Sequence, residues 1–216
     1  MNDTKTRDLW DLVGGLSNPS KMPGFAYGLD ARTCIIGRLL AKVSGSVCEK
    51  CYALGGMYNF PVVRAAHARR LESISKPYWV AVMTELISRK SKKVPYFRWH
   101  DSGDLQSLEH LSKIVEIAKN LPGISFWLPT KQPDFVQTFL RAGNTFPANL
   151  TVRVSAPMIG RAPEKISGTV GSSVEDSSRF GLGTSFACMA PKQKGSCMEC
   201  RACWNFQVEE VTYLEH

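Results

Sequence analysis

The cysteine pattern constrains this chain more than any other feature of its sequence. The 216 residues include seven cysteines in two groups, which are Cys34, Cys48 and Cys51 near the front and Cys188, Cys197, Cys200 and Cys203 near the end. A CxxC pair lets two thiolates converge on one metal centre, because two intervening residues allow the backbone to curl around it. An odd number of cysteines also leaves one thiol over in any all-disulfide scheme. The pattern therefore predicts metal binding by all seven.

Iron-sulfur clusters and zinc are the two candidates for the metal. Zinc sites usually pair two CxxC knuckles or include histidine, and His67, His100 and His110 have no such spacing to the cysteines. We therefore expect one or two 4Fe-4S clusters, with zinc as the alternative. Three front cysteines would leave one iron open to a substrate or cofactor, whereas four cysteines at the end would close a site. Two separate sites and one shared site both fit this pattern.

The net charge and the hydropathy of the chain indicate which kinds of partner it can bind. The formal net charge of +8 favours polyanions, although the basic residues are scattered apart from two short runs. A nucleic-acid-binding module braced by zinc or a cluster is therefore an alternative function. No apolar run approaches the length of a membrane span, and the amino terminus lacks a secretory pattern. We expect a cytoplasmic protein with reduced thiols and no membrane partner.

Short apolar strands alternate with amphipathic helices through the middle of the chain. Strands are expected at 25–29, 96–100, 124–128, 150–154 and 168–174, and helices at 5–15, 61–74, 77–90, 106–120 and 133–141. Such alternation is typical of parallel strands joined by right-handed helical crossovers. The sequence predicts an α/β fold, a partial or complete TIM-like barrel of parallel strands with a cysteine-rich C-terminal appendage.

The appendage would begin near residue 181. We expect an iron-sulfur barrel-like domain over 1–180 and a cysteine-rich segment over 181–213 packed on it, with an edge strand at 205–212. The last three residues, 214–216, are interpreted as the remnant of an expression tag.

Polar residues follow three of the expected strands directly. His100, Asp101 and Asp104 follow the first, Lys131 the second and Ser155 the third. The carboxyl ends of parallel strands are where α/β folds place their active sites. Lysine there can bind a carboxylate or phosphate as a point charge. The alternatives are an ordinary loop position for Lys131 and, for Asp104, capping of the helix at 106–120.

Two segments resemble a bacteriophage family catalogued as gene product 88. One contains Cys34 and continues as Cys48-x-x-Cys51-Tyr52-Ala53, and the other is Cys197-x-x-Cys200-x-x-Cys203-Trp204. The resemblance extends from Ser17 to about Trp204. It implies a viral origin and a location in the host cytoplasm.

The CxxCYA segment is also similar to that of radical S-adenosylmethionine enzymes. There three cysteines hold a 4Fe-4S cluster in a partial TIM barrel, and the open iron binds the amino and carboxylate groups of S-adenosylmethionine. The resemblance implies that Asp101 or Asp104 contacts the cofactor amine. In this sequence 13 residues separate Cys34 from Cys48, in place of the usual CxxxCxxC. The implied function is an iron-sulfur enzyme of unknown substrate, with an electron-transfer protein as a further alternative.

Overall fold

The computed structural model describes residues 4–215. Within this range the helices are α1 (Thr6–Leu12), α2 (Gly37–Leu40), α3 (Pro61–Ile74), α4 (Trp79–Lys90), α5 (Leu108–Asn120) and α6 (Pro133–Arg141). The strands are β1 (Phe25–Tyr27), β2 (Tyr96–Trp99), β3 (Ser125–Thr130), β4 (Leu150–Ser155), β5 (Val170–Glu175), β6 (Phe186–Ala187) and β7 (Glu210–Leu214).

All seven strands form one parallel sheet in the order β1-β2-β3-β4-β5-β7-β6. The first five strands are neighbours in chain order, and the sheet is not closed. The α/β class with parallel strands is therefore confirmed. The predicted edge strand near 205–212 was wrong in its position, because β7 lies between β5 and β6 and the edge is formed by β6.

Local sequence explains where the helices begin. Both α3 and α6 start with proline at the first helical turn, where its missing N–H has no intrahelical partner to lose. The start of α5 is capped by Ser107, whose hydroxyl accepts a hydrogen bond from the His110 backbone N–H (3.0 Å). Asp104 therefore does not cap this helix, contrary to the alternative considered from the sequence.

One face of the sheet packs against the helices. Alternate strand residues such as Phe97, Trp99 and Phe126 are fully buried in a core that also contains Trp79 and Leu86 of α4. The rings of Trp79 and Trp99 lie 6.0 Å apart. Because side chains alternate across a strand, the residues between these core positions point to the opposite face of the sheet.

The opposite face carries Arg98, Trp127 and Arg153 and is covered by the end of the chain. The Trp204 ring lies 5.1 Å from that of Trp127 and donates a hydrogen bond to the Phe97 carbonyl oxygen (2.9 Å). Segment 202–204 thus packs against the face that the helices leave uncovered.

Candidate functional site

A cavity of about 350 Å³ opens at the carboxyl ends of the strands. The residues that line it include Cys34, Cys48, Cys51, Tyr52, Arg98, His100, Asp101, Asp104, Lys131, Ser155 and Ser172. All five of the strand-end residues predicted from the sequence are in this set, together with the three front cysteines. The fold brings them to one place because parallel strands end at the same edge of a sheet.

The front cysteines lie in irregular segments that pack beside this edge. The Cys51 backbone N–H donates to the Cys48 carbonyl oxygen (3.3 Å), which makes a turn of the CxxC pair. A Cβ atom added to Gly37 would lie 3.5 Å from the Cys34 sulfur and 3.7 Å from the Cys48 sulfur. The sulfur atoms of Cys34 and Cys48 therefore both lie beside the start of α2. The distance between them is no larger than the sum of these two distances.

Burial keeps these thiols protonated when no metal is bound. Desolvation, reinforced by the nearby Asp104 carboxylate, raises the pKa of Cys34 to about 12. Burial also raises the pKa of Cys48. A metal ion reverses this preference, because a coordinating thiol is deprotonated outright.

The thiols are not drawn together as they would be around a single ion. No group of three or more His, Cys, Asp or Glu side chains within residues 4–215 has the arrangement needed to hold one metal ion. The thiolates of a 4Fe-4S cluster bind different iron atoms, so they lie farther apart than the ligands of a single zinc ion.

His100 occupies an unusual position at the end of β2. Its φ of 55° is in the left-handed region, which few non-glycine residues adopt, and the side chain is 3% exposed. Burial, followed by the charge of Arg98, lowers the pKa of His100 to about 3, so the imidazole is neutral. The backbone of Pro129 opposes this shift, and neither ring nitrogen makes a well-aligned hydrogen bond within the described part of the chain. The centre of the His110 ring lies 5.5 Å from the centre of the His100 ring.

Asp101 also has an unsatisfied polar atom. Its Oδ1 is buried without a hydrogen-bond partner among residues 4–215. The side chain lies against Gly28, where an added Cβ would approach Oδ1 to 2.3 Å, so a larger residue there would force this carboxylate to shift. The Asp101 carbonyl oxygen accepts a hydrogen bond from the Tyr52 hydroxyl (2.6 Å), which links the segment after β2 to the cysteine motif.

Asp104 connects the ends of two strands. Its Oδ1 accepts hydrogen bonds from the Leu105 N–H and the Thr130 hydroxyl, both at 2.7 Å, and its Oδ2 accepts one from the Lys131 N–H (2.8 Å). Burial raises the pKa of Asp104, and these hydrogen bonds oppose the shift. The carboxylate thus fixes the backbone of Lys131 beside the cavity.

Two polar residues on the cavity wall, Arg98 and Ser172, were not predicted from the sequence. Arg98 places its guanidinium 4.3 Å from the centre of the Trp127 ring, and its Nε is buried without a partner among the described residues. Strand alternation could have indicated it, since its neighbours Phe97 and Trp99 point into the core. The Ser172 hydroxyl lies 3.0 Å from that of Ser155, a contact between β4 and β5 that no local pattern indicates.

The four tail cysteines, all within the described residues, do not line this cavity. The Cys200 N–H donates to the Cys197 carbonyl oxygen (2.9 Å), so these two form a turn, and the Cys203 sulfur lies 3.1 Å from the Tyr213 hydroxyl. Burial raises the pKa of Cys203 to about 11, and the neighbouring Cys188 contributes in the same direction. The tail cysteines form a group of their own.

Fold and cavity together define an α/β protein with a polar, cysteine-lined site at the carboxyl ends of a parallel sheet. The sequence profile of the family described as gene product 88 matches residues 2–205, so the chain belongs to that family. This confirms the phage family expected from the two cysteine motifs. No curated protein and no solved structure matches the chain.

None of these comparisons supports the similarity to radical S-adenosylmethionine enzymes. No helix within residues 4–215 is long and apolar enough to span a bilayer.

Proposed function

We propose that the protein is a phage iron-sulfur enzyme in which Cys34, Cys48 and Cys51 hold a 4Fe-4S cluster beside the strand ends. The observation that carries the proposal is one cavity lined by three thiols, by the unsatisfied Oδ1 of Asp101 and by the buried imidazole of His100. Buried polar atoms are nearly always hydrogen-bonded, so atoms without partners at a cavity wall favour a ligand that supplies them.

The choice of a cluster over zinc has two supports. The front group offers thiols alone, which are the usual ligands of iron-sulfur clusters, and no histidine has the spacing to the cysteines that zinc sites usually show. Three thiolates would also leave one iron available to a ligand in the cavity. When bound, such a cluster supplies one-electron reduction at that iron.

The ligand that best suits the remaining residues carries both an amine and a carboxylate, as S-adenosylmethionine does. Asp101 would accept hydrogen bonds from the amine through its unsatisfied oxygen. Lys131 would pair with the carboxylate, from a backbone position that Asp104 fixes. The hydroxyl of Ser155 would bind a polar part of the ligand on the opposite wall. His100, whose imidazole is neutral, would form a hydrogen bond with a substrate in the cavity.

A partial TIM-like barrel is the finer fold that we propose. The strands β1 to β5 follow one another in chain order, and right-handed crossovers between such strands place every helix on the same face. Residues 181–213 would then act as a C-terminal appendage whose strands β6 and β7 extend the sheet, and the cysteine-rich segment between these strands would fill the face that the helices leave uncovered.

We assign the four tail cysteines to a second, closed site that stabilises the appendage. Its support is the separation of this group from the cavity and the buried Arg153, which donates hydrogen bonds to the carbonyl oxygens of Ala202, Cys203 and Asn205. Zinc and a cluster both suit four thiolates, and metal analysis distinguishes them.

Metal analysis of anaerobically purified protein tests this proposal. Iron and acid-labile sulfide should be present, with broad visible absorption that dithionite bleaches. Cys48→Ser should remove the front iron and leave the tail metal, and Cys200→Ser should do the reverse. A colourless protein that contains only zinc would rule out the enzyme proposed here, and loss of all metal from either variant would indicate one shared site.

A further inference from the structure

A second groove lies beside the cysteine-lined cavity. It has a volume of about 470 Å³ and is formed by the first turns of α3 and by the loops before it, with Asp30, Asn59, Arg64 and His67 among its lining residues. The proposed enzyme does not use this groove.

A row of three aromatic rings connects the groove to the cavity. Tyr52 lines the cavity, and its ring lies 5.8 Å from that of Tyr58. The Tyr58 ring in turn stacks on His67 at 6.2 Å, with 28° between the ring planes, and His67 lines the groove. His67 is buried, so the row links the walls of the two openings through the interior of the protein.

Large apolar side chains are exposed beside this row. Met57 is 72% exposed, Phe60 55% and Val62 71%. These three lie within six consecutive residues of a chain whose core is otherwise well buried. Clustered exposed apolar side chains of this kind mark an interaction surface.

The charge of the same segment is strongly positive. Between residues 31 and 70 the exposed basic side chains are Arg32, Arg38, Lys42, Lys50, Arg64 and Arg69, and Glu49 is the only acidic residue in that range. Arg32 pairs with Asp30 and Lys50 with Glu215, so among the described residues the other four carry the unpaired positive charge. The short elements of this segment contact one another in sequence, from α2 through Ala31–Thr33, Tyr52–Leu54 and Gly56–Asn59 to α3. The basic residues therefore belong to one region of the surface.

We infer that this region, residues 31–70, binds single-stranded nucleic acid, with the exposed rings of Tyr52 and Phe60 as its stacking surfaces. Aromatic rings stack on unpaired bases while basic side chains neutralise the phosphates, and this combination is typical of surfaces that bind single strands. A duplex offers its phosphates but not its base faces, so it would bind less well. Delivery of a nucleotide from this region into the cavity rests on the proposed enzyme, but binding itself does not.

Fluorescence anisotropy with the full chain tests the inference. The probes are labelled oligothymidylate and oligouridylate of about twenty nucleotides and a duplex of the same length. Both single strands should bind more tightly than the duplex, and their affinity should fall steeply as salt rises. Comparison of the two single strands distinguishes DNA from RNA.

Variants separate stacking from charge. Phe60→Ala should weaken single-strand binding about tenfold, and Phe60→Trp should retain it. The triple variant Arg38→Ala, Lys42→Ala, Arg64→Ala should lower the slope of log affinity against log salt by about 2. The matched control is the triple variant Lys92→Ala, Lys93→Ala, Lys119→Ala, which removes the same number of positive charges. These lysines precede β2 and β3, at the amino ends of the strands and away from the cavity. The control should leave the slope nearly unchanged.

Three results would overturn the inference. They are no binding at low salt, equal losses in the two triple variants, and full binding by Phe60→Ala. Iron content measured on every preparation keeps the two proposals apart. Oligonucleotide binding by iron-free protein would count against the enzyme alone, and iron-loaded protein that binds no oligonucleotide would count against this surface alone.

Discussion

The residues that follow β2 have an unusual share of unsatisfied polar atoms. His100 is held in a left-handed backbone conformation, and Gly28 leaves room for the Asp101 carboxylate. Such strain and missing hydrogen bonds lower stability and are characteristic of functional sites. Asp104 differs from these two because its hydrogen bonds are made within the protein. We therefore assign ligand contact to Asp101 and a positioning role to Asp104.

Asp101→Asn tests ligand contact at the residue scale. The substitution keeps the shape of the side chain and removes its charge, so iron content and stability should be unchanged. Affinity for S-adenosylmethionine should fall about tenfold or more, because a hydrogen bond to a charged group contributes about 1.5–3 kcal/mol. Equilibrium binding to the iron-loaded protein measures this. Glu116→Gln, on the exposed side of α5, is the matched control. Equal affinities in the two variants would contradict the assignment.

His100→Asn tests the neutral imidazole through the pH dependence of stability. The pKa of His100 is about 3 in the folded protein and about 6.5 when the chain is unfolded. Below pH 6.5 the unfolded state therefore binds more protons, and the free energy of unfolding decreases as the pH falls towards 3. One imidazole contributes about 1.4 kcal/mol per pH unit to this slope. Asparagine tolerates the left-handed conformation, so the variant should fold.

Urea unfolding at several values between about pH 6.5 and pH 5 should show a shallower slope for His100→Asn than for the wild type. Burial, the largest cause, also lowers the pKa of His110 in both proteins, whereas the smaller effect of His100 on that pKa is lost in the variant, which makes its slope shallower still. Parallel curves would mean that His100 is protonated in the folded state.

At the scale of elements, the sequence was most informative where structure is local. The helices expected at 61–74 and 133–141 have those bounds, and the strand expected at 150–154 differs by one residue. Proline at the first turn and apolar spacing determine these elements within a few residues of chain. The place of β7 between β5 and β6 depends on pairing between distant segments, which no local pattern encodes.

The strand-end residues of the site were predictable for the same reason. A polar residue directly after an apolar strand must lie at the carboxyl edge, and His100, Asp101 and Lys131 do. Arg153 was not predictable in this way. It lies in the middle of an apolar strand, and its partners are carbonyl groups about fifty residues away that only the tertiary fold brings near.

Arg153→Met tests the attachment of the C-terminal segment. The side chain of Arg153 is fully buried and donates hydrogen bonds to four carbonyl oxygens, one of them that of Gly171. Methionine has a similar length but no donors, so these oxygens lose their partners. The free energy of unfolding should fall by about 3 kcal/mol or more.

Urea unfolding measures the loss, and hydrogen exchange should show faster exchange within residues 196–209. Arg141→Met is the control, because Arg141 is exposed on α6 and its loss should change stability by less than about 0.5 kcal/mol. Similar effects of the two substitutions would show that Arg153 does not hold the segment to the sheet.

At the scale of the whole molecule, the two cysteine groups have separate surroundings. The front group borders the cavity at the strand ends, and the tail group lies with the segment that covers the inner face of the sheet. Arg98 affects residues on both sides, because burial raises the pKa values of Cys203 and Tyr52 and the charge of Arg98 opposes the rise in both. This division agrees with an open site at the front and a closed one at the back.

The open iron is the central claim, and electron paramagnetic resonance tests it most directly. Anaerobic protein reduced with dithionite should give the signal of a reduced 4Fe-4S cluster, and S-adenosylmethionine should change that signal because it binds the iron that lacks a cysteine. The change should be lost in Cys51→Ser and retained in Cys200→Ser. A cluster signal that S-adenosylmethionine leaves unaltered, or one that survives Cys51→Ser and disappears with Cys200→Ser, would contradict the account.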